Sequence, residues 1–340
     1  MILLSRDDIK KVFTMRDAIE ADKVAFQLVV EEGKVVSPLR TNIQAPKHDG
    51  CFLFMPAYVP DLDVASVKIV DIFPHNIDNG IPSSPAQVLL IDGTTGVVSA
   101  LLDGTHVTKM RTGAASGAAF DVLAKKDCKI GALIGTGGQA STQLEAMLTA
   151  RDLEEVRVFD LDFERTKAFA EQMQEELSEY NTRIVPVRSS DEAIDDADLL
   201  ITVTPSSKPV FDGSKVKPGI TISCVGAYQH HMQELDPVAL ERASKIYFDS
   251  KEAVLSESGD ILIPLEKGII TEDDFTGDLG NVIKGELVGR ENDEEIIVFE
   301  TVGVATQDLV AANTIYKKAL ELGVGPVSYT HLTLPTIRLV

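Results

Sequence analysis

Cysteine is scarce in this chain, and basic residues are outnumbered by acidic ones. Its 340 residues include three cysteines, Cys51, Cys128 and Cys224, with no CxxC pair among them. This spacing argues against a disulfide framework and against a thiolate zinc site, so we expect a reducing compartment. Lysine and arginine total 32 against 53 aspartates and glutamates, which gives a net charge of -21. Because nucleic acids and anionic lipids bind basic surfaces, neither is an expected partner.

Long apolar runs and common catalytic signatures are also missing. No apolar stretch reaches the roughly 20 residues that span a membrane, and the N-terminal run meets Asp7 and Asp8 too early for a signal peptide. The six histidines show no HExxH or similar spacing, so no metal site is expected. The chain has no GxSxG motif, so nothing indicates a serine hydrolase. These absences favour a cytoplasmic protein that acts on a small molecule.

The order of local patterns indicates two domains, as the chain length also does. Residues 5–32 have helical periodicity, and 35–102 contain short β-type runs separated by turns, which favours antiparallel strands. A helix rich in glycine and alanine covers 110–124. Strands and helices then alternate over 129–249, the pattern of a parallel sheet with crossover helices. A last helix, 306–323, is expected to return and pack on the first domain.

The C-terminal stretch, residues 326–340, differs from the rest of the chain. It contains no acidic residue although the protein is strongly acidic, and it does not continue the helical pattern before it. Two interpretations stay open: it is not native sequence, or it forms an extra edge strand or a loose tail. We assign no function to this atypical tail.

A glycine loop indicates a dinucleotide site. Gly135, Gly137 and Ala140 form GxGxxA directly after the apolar run 130–134 and directly before a helical pattern. In such a loop the first glycine permits a tight turn, the second lets a pyrophosphate approach the backbone, and the small third residue lets helix and strand pack closely. The helix N-terminus then binds the phosphates. The structural alternative is a glycine turn without a cofactor.

An acidic residue at the end of the next predicted strand indicates which dinucleotide is bound. Asp160 closes the segment VRVFD, 25 residues after Gly135, where an acid commonly binds the ribose hydroxyls of NAD. Asp160 and Asp162 would repel a 2′-phosphate, so NAD is favoured over NADP. Arg165 lies nearby in the sequence and provides the opposing possibility, since its cation would attract that phosphate.

Three cations occupy positions where surface charge is not expected. Lys68 lies among apolar residues in ASVKIVDIF, and burying an ammonium without a partner is costly. Arg40 begins a predicted strand, and Arg111 begins the helix of small residues. Together they suit a clamp for the carboxylate of an amino acid, because guanidinium groups bind carboxylates bidentately. Taken singly, each arginine is an ordinary surface cation, and Lys68 on an edge strand would extend to water.

Several short motifs together resemble the ornithine cyclodeaminase/mu-crystallin family over residues 1–325. They are PLR (38–40), FMPAY (54–58), SVKIV (66–70), GIPSS (80–84), KMRTGAASGAA (109–119), IGTGGQA (134–140), VFDLD (158–162), CVGAYQHHMQELD (224–236), SGDILIPL (258–265) and TVGVATQDL (301–309). The resemblance implies an α/β fold and a homodimer. A Rossmann NAD-binding domain would cover 113–304, and an α/β substrate and dimerisation domain would be formed by both chain ends, 1–112 plus 305–325.

The resemblance also implies the roles of individual residues. Arg40, Lys68 and Arg111 would bind the substrate carboxylate, and Asp308 on the domain-closing helix would complete the catalytic group. NAD is the implied cofactor, with NADP disfavoured. Its contacts are expected from Gly135, Thr136, Gly137, Gly138, Gln139, Asp160, Ser83, Thr112, Thr204 and Val225.

Two positions depart from ornithine cyclodeaminases. Those enzymes carry an aspartate and a lysine after the VG of CVGAYQHHM, where this chain has Tyr228 and Met232. Neither side chain replaces a carboxylate base or an ammonium. We therefore predict NADH-dependent, reversible reduction of the C=N bond of a cyclic imino acid or ketimine resembling Δ1-pyrroline-2-carboxylate. An ornithine cyclodeaminase, an alanine-type amino-acid dehydrogenase and a non-enzymatic, crystallin-like ligand-binding protein are the alternatives.

Overall fold

The computed structural model describes residues 1–327, which form two sheets flanked by helices. The strands are β1 (Ile2–Leu4), β2 (Thr41–Ala45), β3 (Gly50–Val59), β4 (Val64–Ile72), β5 (Ala86–Asp92), β6 (Val98–Asp103), β7 (Ile130–Ile134), β8 (Glu155–Phe159), β9 (Arg183–Pro186), β10 (Leu199–Thr202), β11 (Thr221–Cys224), β12 (Lys245–Phe248), β13 (Gly277–Asp278) and β14 (Ile297–Glu300). The helices are α1 (Arg6–Val12), α2 (Met15–Val30), α3 (Gly104–Leu123), α4 (Ala140–Ala150), α5 (Phe163–Glu176), α6 (Ser190–Ile194), α7 (Pro237–Arg242), α8 (Lys251–Glu257), α9 (Gly259–Glu266), α10 (Leu279–Lys284) and α11 (Ala305–Leu322). Within this described part, no helix has the length and apolar character to cross a membrane.

The N-terminal region contains two helices rather than the single helix that periodicity predicted. α1 begins with a capping box between Ser5 and Asp8, and α2 begins with a second one between Thr14 and Asp17. Phe13 between them has φ -140° and ψ 110°, an extended conformation. The second capping box stabilises a new helix start, so the chain bends although its apolar pattern continues.

The first sheet has the order β1-β6-β5-β4-β3-β2. Neighbouring strands are antiparallel except β1, which runs parallel to β6. The sequence did not predict β1, because three residues are too few to show a period of two. Lys68 lies in the interior strand β4, opposite Met55 on one side and Val88 on the other. This position removes the alternative in which Lys68 lies on an edge strand.

The second sheet is entirely parallel, with the order β13-β12-β14-β11-β10-β7-β8-β9. The chain winds outward from β7 in both directions, as in a Rossmann fold, so β7 and β10 form the point where the strand order reverses. Apolar side chains cover both faces of the sheet. After residue 252, where sequence patterns were weak, the chain inserts β14 between β11 and β12. The α/β fold with a Rossmann domain was therefore predicted correctly.

The small-residue helix α3 packs between the two sheets. It begins at Gly104, six residues before the predicted start at 110, because the Asp103 side chain accepts the N–H of His106 and caps it. Its Gly113 packs against the backbone of α4, and its Gly117 packs against Ile19 of α2. The helix is continuous across the proposed boundary at 112 and 113, and the division into domains stays a prediction.

The last helix, α11, returns to the first sheet as the sequence predicted. It packs on α2 and on strands β3, β4 and β5. Beyond it, Pro326 accepts a hydrogen bond from the N–H of Leu3 at 3.1 Å. The rest of the atypical tail, residues 328–340, lies outside the described residues.

Candidate active site

Four predicted cofactor residues lie at one edge of the parallel sheet. Gly135 directly follows β7, Asp160 follows β8, Thr204 lies just beyond β10, and Val225 follows β11. These strands are neighbours and run in parallel, so their carboxyl ends meet at the same edge. Open α/β sheets bind ligands at this edge, where the strand order reverses.

The geometry of the glycine loop fits a dinucleotide. Gly135 has φ +108°, and a Cβ there would lie 2.7 Å from the carbonyl oxygen of Val203. Gly137 and Gly138 face open space instead, and their N–H groups donate to no atom of residues 1–327. A pyrophosphate at the N-terminus of α4 would accept such N–H groups. The loop is therefore closed on the protein side and open on the side where a cofactor would bind.

Asp160 holds the glycine loop in place. Its Oδ2 accepts hydrogen bonds from the N–H of Thr136 at 2.9 Å and from the Thr136 hydroxyl at 2.8 Å. Burial acts to raise the pKa of Asp160, but these bonds and the Arg165 charge outweigh it and lower the pKa. Arg165 donates to the carbonyl oxygen of Thr136 at 3.1 Å. An ionised carboxylate at this point of the loop favours NAD over a 2′-phosphorylated cofactor.

Three further predicted cofactor residues, Gln139, Thr112 and Ser83, do not directly follow a strand of the parallel sheet. Gln139 precedes α4, and its Oε1 is buried without a hydrogen-bond partner in the described chain. Thr112 lies on α3, where its carbonyl oxygen accepts the Nε2 group of Gln143 at 2.8 Å. Ser83 lies in the connection between β4 and β5, and no hydrogen bond of the described residues joins it to the glycine loop. The structure thus brings Gln139 and Thr112 to α4 but not Ser83, and the cofactor roles of all three stay predictions.

Glu234, which sequence reasoning missed, joins two loops at the cofactor edge. Its buried carboxylate accepts the N–H of Thr204 at 2.5 Å and the N–H of Gly226 at 2.6 Å. Burial raises the pKa of Glu234 to about 8, and the nearby Asp260 acts in the same direction. In a sequence, a loop glutamate that becomes buried looks the same as one that stays exposed to solvent. No local pattern could therefore have identified Glu234.

Two more buried acids lie beside Glu234. Asp260 Oδ1 accepts two backbone N–H groups, at 2.6 and 2.8 Å, and Glu300 accepts the hydroxyl of Ser258 at 2.8 Å. The other oxygens, Asp260 Oδ2 and Glu300 Oε2, are buried and have no partner in the described chain. Burial raises the pKa of Asp260 to about 6 and the pKa of Glu300 well above its usual range. The Cys224 sulfur and one carboxylate oxygen each of Asp260 and Glu300 lie within 4.8 Å of one another, close enough to hold a metal ion. The expectation that the protein has no metal site therefore stays a prediction.

We expect the carboxyls of Glu234 and Asp260 to make the free energy of unfolding fall as the pH rises from about 5 to about 8. A carboxyl with a raised pKa binds its proton more tightly in the folded protein than in the unfolded chain. For Asp260, the stabilisation is complete below its ordinary pKa of 3.8 and is lost as the pH rises through about 6. For Glu234, the stabilisation continues to fall until the pH passes about 8, which is the pKa of this carboxyl in the folded protein. At about 1.4 kcal/mol for each displaced pKa unit, these two carboxyls should contribute a loss of about 2 kcal/mol or more. His106 and Lys68 act in the opposite direction, because burial lowers their pKa values to about 4 and about 7. Urea unfolding across this pH range measures the net change.

Asp260→Asn is the matched test of this pH dependence. The amide oxygen keeps both backbone hydrogen bonds, and the new NH2 group replaces the oxygen that has no partner and can donate to Glu300. We expect the variant to be more stable than the wild type at alkaline pH and to depend less on pH. Asp273→Asn changes an exposed position and should leave the pH dependence intact. An Asp260→Asn protein with the wild-type pH dependence would contradict the assignment.

Lys68, Arg111 and Asp308 form a buried ionic cluster. The Lys68 Nζ lies 2.6 Å from Asp308 Oδ2, and the Arg111 Nε lies 3.2 Å from Asp308 Oδ1. Burial, followed by the charge of Arg111, lowers the pKa of Lys68 to about 7 against the opposing effect of Asp308. Lys68 and Asp308 are both 0% exposed, so solvent does not reach the pair. The structure brings these three predicted residues together and makes Asp308 the partner of both cations.

A fixed loop before α11 supports this cluster. Gly303 has φ +82°, and a Cβ there would collide with the guanidinium of Arg111. The buried Asp249, which the sequence analysis did not identify, accepts hydrogen bonds from the Thr301 hydroxyl at 2.7 Å and from the N–H groups of Val302 at 3.0 Å and Gly303 at 2.7 Å. Asp249 therefore determines where the backbone under Arg111 lies.

Arg40 reaches the same loop from the start of β2. Its Nη2 donates to the carbonyl oxygens of Val302 at 2.8 Å and Gly303 at 3.0 Å, and its Nε lies 2.9 Å from Glu257 Oε1. Arg40 and Glu257 line a cleft between the two sheets, and its other walls combine apolar residues with Ser37, Ser250 and Glu252. Arg40 thus faces the cleft directly, whereas Lys68 is enclosed.

Comparison with known proteins identifies the family of this chain. The model of the ornithine cyclodeaminase/mu-crystallin family matches residues 1–323. The chain belongs to that family. The family resemblance predicted from the motifs is therefore confirmed, and as a member of the ornithine cyclodeaminase/mu-crystallin family the chain shares its architecture over nearly its whole length.

Three relatives illustrate the range of proteins similar to this family member. A Δ1-pyrroline-2-carboxylate reductase of Bacillus cereus is 36% identical over 96% of this chain and 98% of its own length. The structure of a Thermococcus litoralis Δ1-pyrroline-2-carboxylate reductase, in complex with NADH and L-proline, has a TM-score of 0.91 and 42% identity over 96% of this chain and 100% of that one. An archaeal alanine dehydrogenase dimer with bound NAD has a TM-score of 0.88 and 33% identity over 97% and 99% of the two chains.

Proposed function

We propose that this protein is an NAD(H)-dependent oxidoreductase that reversibly reduces the C=N bond of a cyclic imino acid resembling Δ1-pyrroline-2-carboxylate, giving an amino acid such as proline. The observation that carries the proposal is the similarity, over 96% of the chain, to two Δ1-pyrroline-2-carboxylate reductases, one of which binds NADH and L-proline. A cleft between the sheets that contains a cation supports a carboxylate-bearing substrate.

The protein positions NADH, which supplies the hydride when bound. The open face at Gly137 and Gly138 would accommodate the pyrophosphate at the N-terminus of α4. Asp160 fixes Thr136 and favours a cofactor without a 2′-phosphate. Glu234 holds the loops at Thr204 and Val225, since it accepts the N–H groups of Thr204 and of the residue after Val225.

The cations hold the substrate and control a proton. Arg40 at the cleft and Arg111 beside the loop at residue 303 would orient the substrate carboxylate. Lys68, with a pKa of about 7, would give a proton to the substrate nitrogen near neutral pH, which requires the cleft to open as far as its buried ammonium when the ligand binds. Asp308 acts as a positioning residue, because it holds the ammonium of Lys68 at 2.6 Å. Two cations of the expected clamp, Lys68 and Arg111, are paired with Asp308, and the third, Arg40, is paired with Glu257.

The side chains of Met232 and Tyr228 argue against the cyclodeaminase alternative. Met232 is buried and apolar. Burial raises the pKa of Tyr228 although Arg40 lies close enough to oppose the effect, so the phenol stays neutral. Neither residue can act as the acidic group that ornithine chemistry would use. We also propose that the protein is a cytoplasmic homodimer, which the dimeric archaeal relative and the three free cysteines support.

A cofactor-oxidation assay tests the proposed function. With Δ1-pyrroline-2-carboxylate we expect NADH to be consumed and proline to form, and we expect NADPH to be a poorer cofactor. Ornithine should yield neither proline nor ammonia, and pyruvate with ammonia should react more slowly than the cyclic imine. Faster turnover of pyruvate would assign an alanine dehydrogenase instead. Formation of proline from ornithine without net NADH consumption would assign a cyclodeaminase.

A further inference from the structure

Glu257, the last residue of α8, has one carboxylate oxygen in use and one without a partner. Its Oε1 lies 2.9 Å from Arg40 Nε. Its Oε2 is buried and accepts no hydrogen bond from any described residue. Leaving a buried carboxylate oxygen without a donor is costly, so the arrangement is complete only when a donor enters from the cleft that Glu257 lines.

The neighbouring cation also has a donor left over. Arg40 uses Nε for Glu257 and Nη2 for the carbonyl oxygens of Val302 and Gly303, whereas Nη1 donates to no residue in the described part of the chain. A guanidinium donor and a carboxylate acceptor without partners among the described residues therefore belong to one ion pair, and both residues of that pair line the same cleft. Both side chains are held by fixed contacts, so most of their ordering precedes ligand binding, and only the cleft wall over the buried Oε2 has to open.

An amino acid carries the complementary pair of groups. Its carboxylate and its nitrogen are attached to the same carbon, so the two groups can meet a cation and a carboxylate that are themselves in contact. We propose that Glu257 binds the nitrogen of the substrate, accepting a hydrogen bond from the N–H of the protonated imine and of the amino-acid product, while Arg40 binds the carboxylate. This inference rests on the proposed function and adds a residue that distinguishes nitrogen compounds from 2-oxo acids.

The electrostatics of the cleft agree with this role. Burial raises the pKa of Glu257, and the charge of Arg40 opposes the effect most strongly, so the ion pair with Arg40 favours the ionised form. Asp249 raises the pKa of Glu257 and His230 lowers it. A carboxylate next to the substrate nitrogen stabilises its protonated state, which is the form of a C=N bond that accepts hydride more readily.

The competing explanation is that Glu257 acts only by orienting Arg40. The two roles differ in their dependence on the ligand nitrogen. A residue that binds nitrogen affects L-proline but not cyclopentanecarboxylate, which has the same ring size and carboxylate without the nitrogen. A residue that only positions Arg40 affects both ligands equally.

Binding calorimetry on protein saturated with NADH separates these roles, because an amino acid cannot react with the reduced cofactor. The ligands are L-proline, L-alanine and cyclopentanecarboxylate, and the variants are Glu257→Gln and the control Glu252→Gln, whose exposed side chain lines the same cleft. We expect Glu257→Gln to weaken binding of both amino acids about tenfold or more and to change cyclopentanecarboxylate binding by less than about twofold. Glu252→Gln should change none of the three.

The outcomes distinguish this inference from the proposed function. Equal weakening of L-proline and cyclopentanecarboxylate by Glu257→Gln, or no weakening at all, would overturn the inference even if the wild type reduces the cyclic imine. A wild type that neither binds L-proline nor reduces the imine would overturn the proposed function. If it still binds L-alanine, and Glu257→Gln weakens that binding, the result would support the inference. A wild type that neither reduces the imine nor binds any amino acid would overturn both.

Discussion

Lys68→Met should lower turnover of Δ1-pyrroline-2-carboxylate by about a thousandfold while leaving NADH affinity within about twofold of the wild type. Methionine keeps a side chain of similar length on an interior strand, but it has no ammonium group and cannot donate a proton. It also leaves Asp308 with Arg111 as its partner, at 3.2 Å, which limits the loss of stability. Steady-state kinetics and a fluorescence titration with NADH measure the two effects separately.

The pH profile provides an independent test of the same residue. Burial lowers the pKa of Lys68 to about 7, so the ammonium that donates the proton is depleted above that pH. Reductive turnover should therefore fall about tenfold for each further pH unit, and the reverse reaction, which needs the neutral amine as a proton acceptor, should rise. Lys47→Met, at an exposed position, is the control and should keep the wild-type profile. Wild-type kinetics in Lys68→Met would remove Lys68 from the mechanism.

Gly135→Ala should destabilise the protein by about 2 to 3 kcal/mol and abolish measurable NADH binding. The residue has φ +108°, a conformation that strains any residue with a side chain. The new methyl would also lie 2.7 Å from the carbonyl oxygen of Val203, which is backbone and cannot rotate away. Urea unfolding and an NADH titration measure the two losses.

Gly137→Ala is the matched variant for this prediction. A Cβ at Gly137 meets no protein atom within 4 Å, so the folded protein should keep its stability. The methyl would instead occupy the space where a pyrophosphate approaches the backbone, and we expect NADH affinity to fall about tenfold or more. If Gly137→Ala binds NADH normally, the open side of the loop is not the cofactor side.

The sequence predicted those features that depend on neighbours along the chain. The glycine loop, its flanking strand and helix, and Asp160 at the end of the next strand all lie within 30 residues of one another, and alternation of strands and helices identified the parallel sheet. Lys68 was noticed for a similar reason, because one ammonium interrupts a run of apolar residues. The break at Phe13 shows the limit of periodicity, since a local capping box ended a helix whose apolar pattern continued.

Only the tertiary structure decided which charged side chains are paired with each other. Arg111 and Asp308 are 197 residues apart in the chain, and Arg40 meets Val302 from a distance of 262 residues, so no local pattern records either contact. The buried acids Glu234 and Asp249 and the partly buried Glu257 look like solvent-exposed acids in the sequence, and only packing shows that each holds a loop or a cation. By itself, the sequence determined the family, the fold class and the nature of the cofactor loop, because these follow from motifs and periodicity. Folding decided the partner of each charged side chain, because burial and distance determine the energy of a charge.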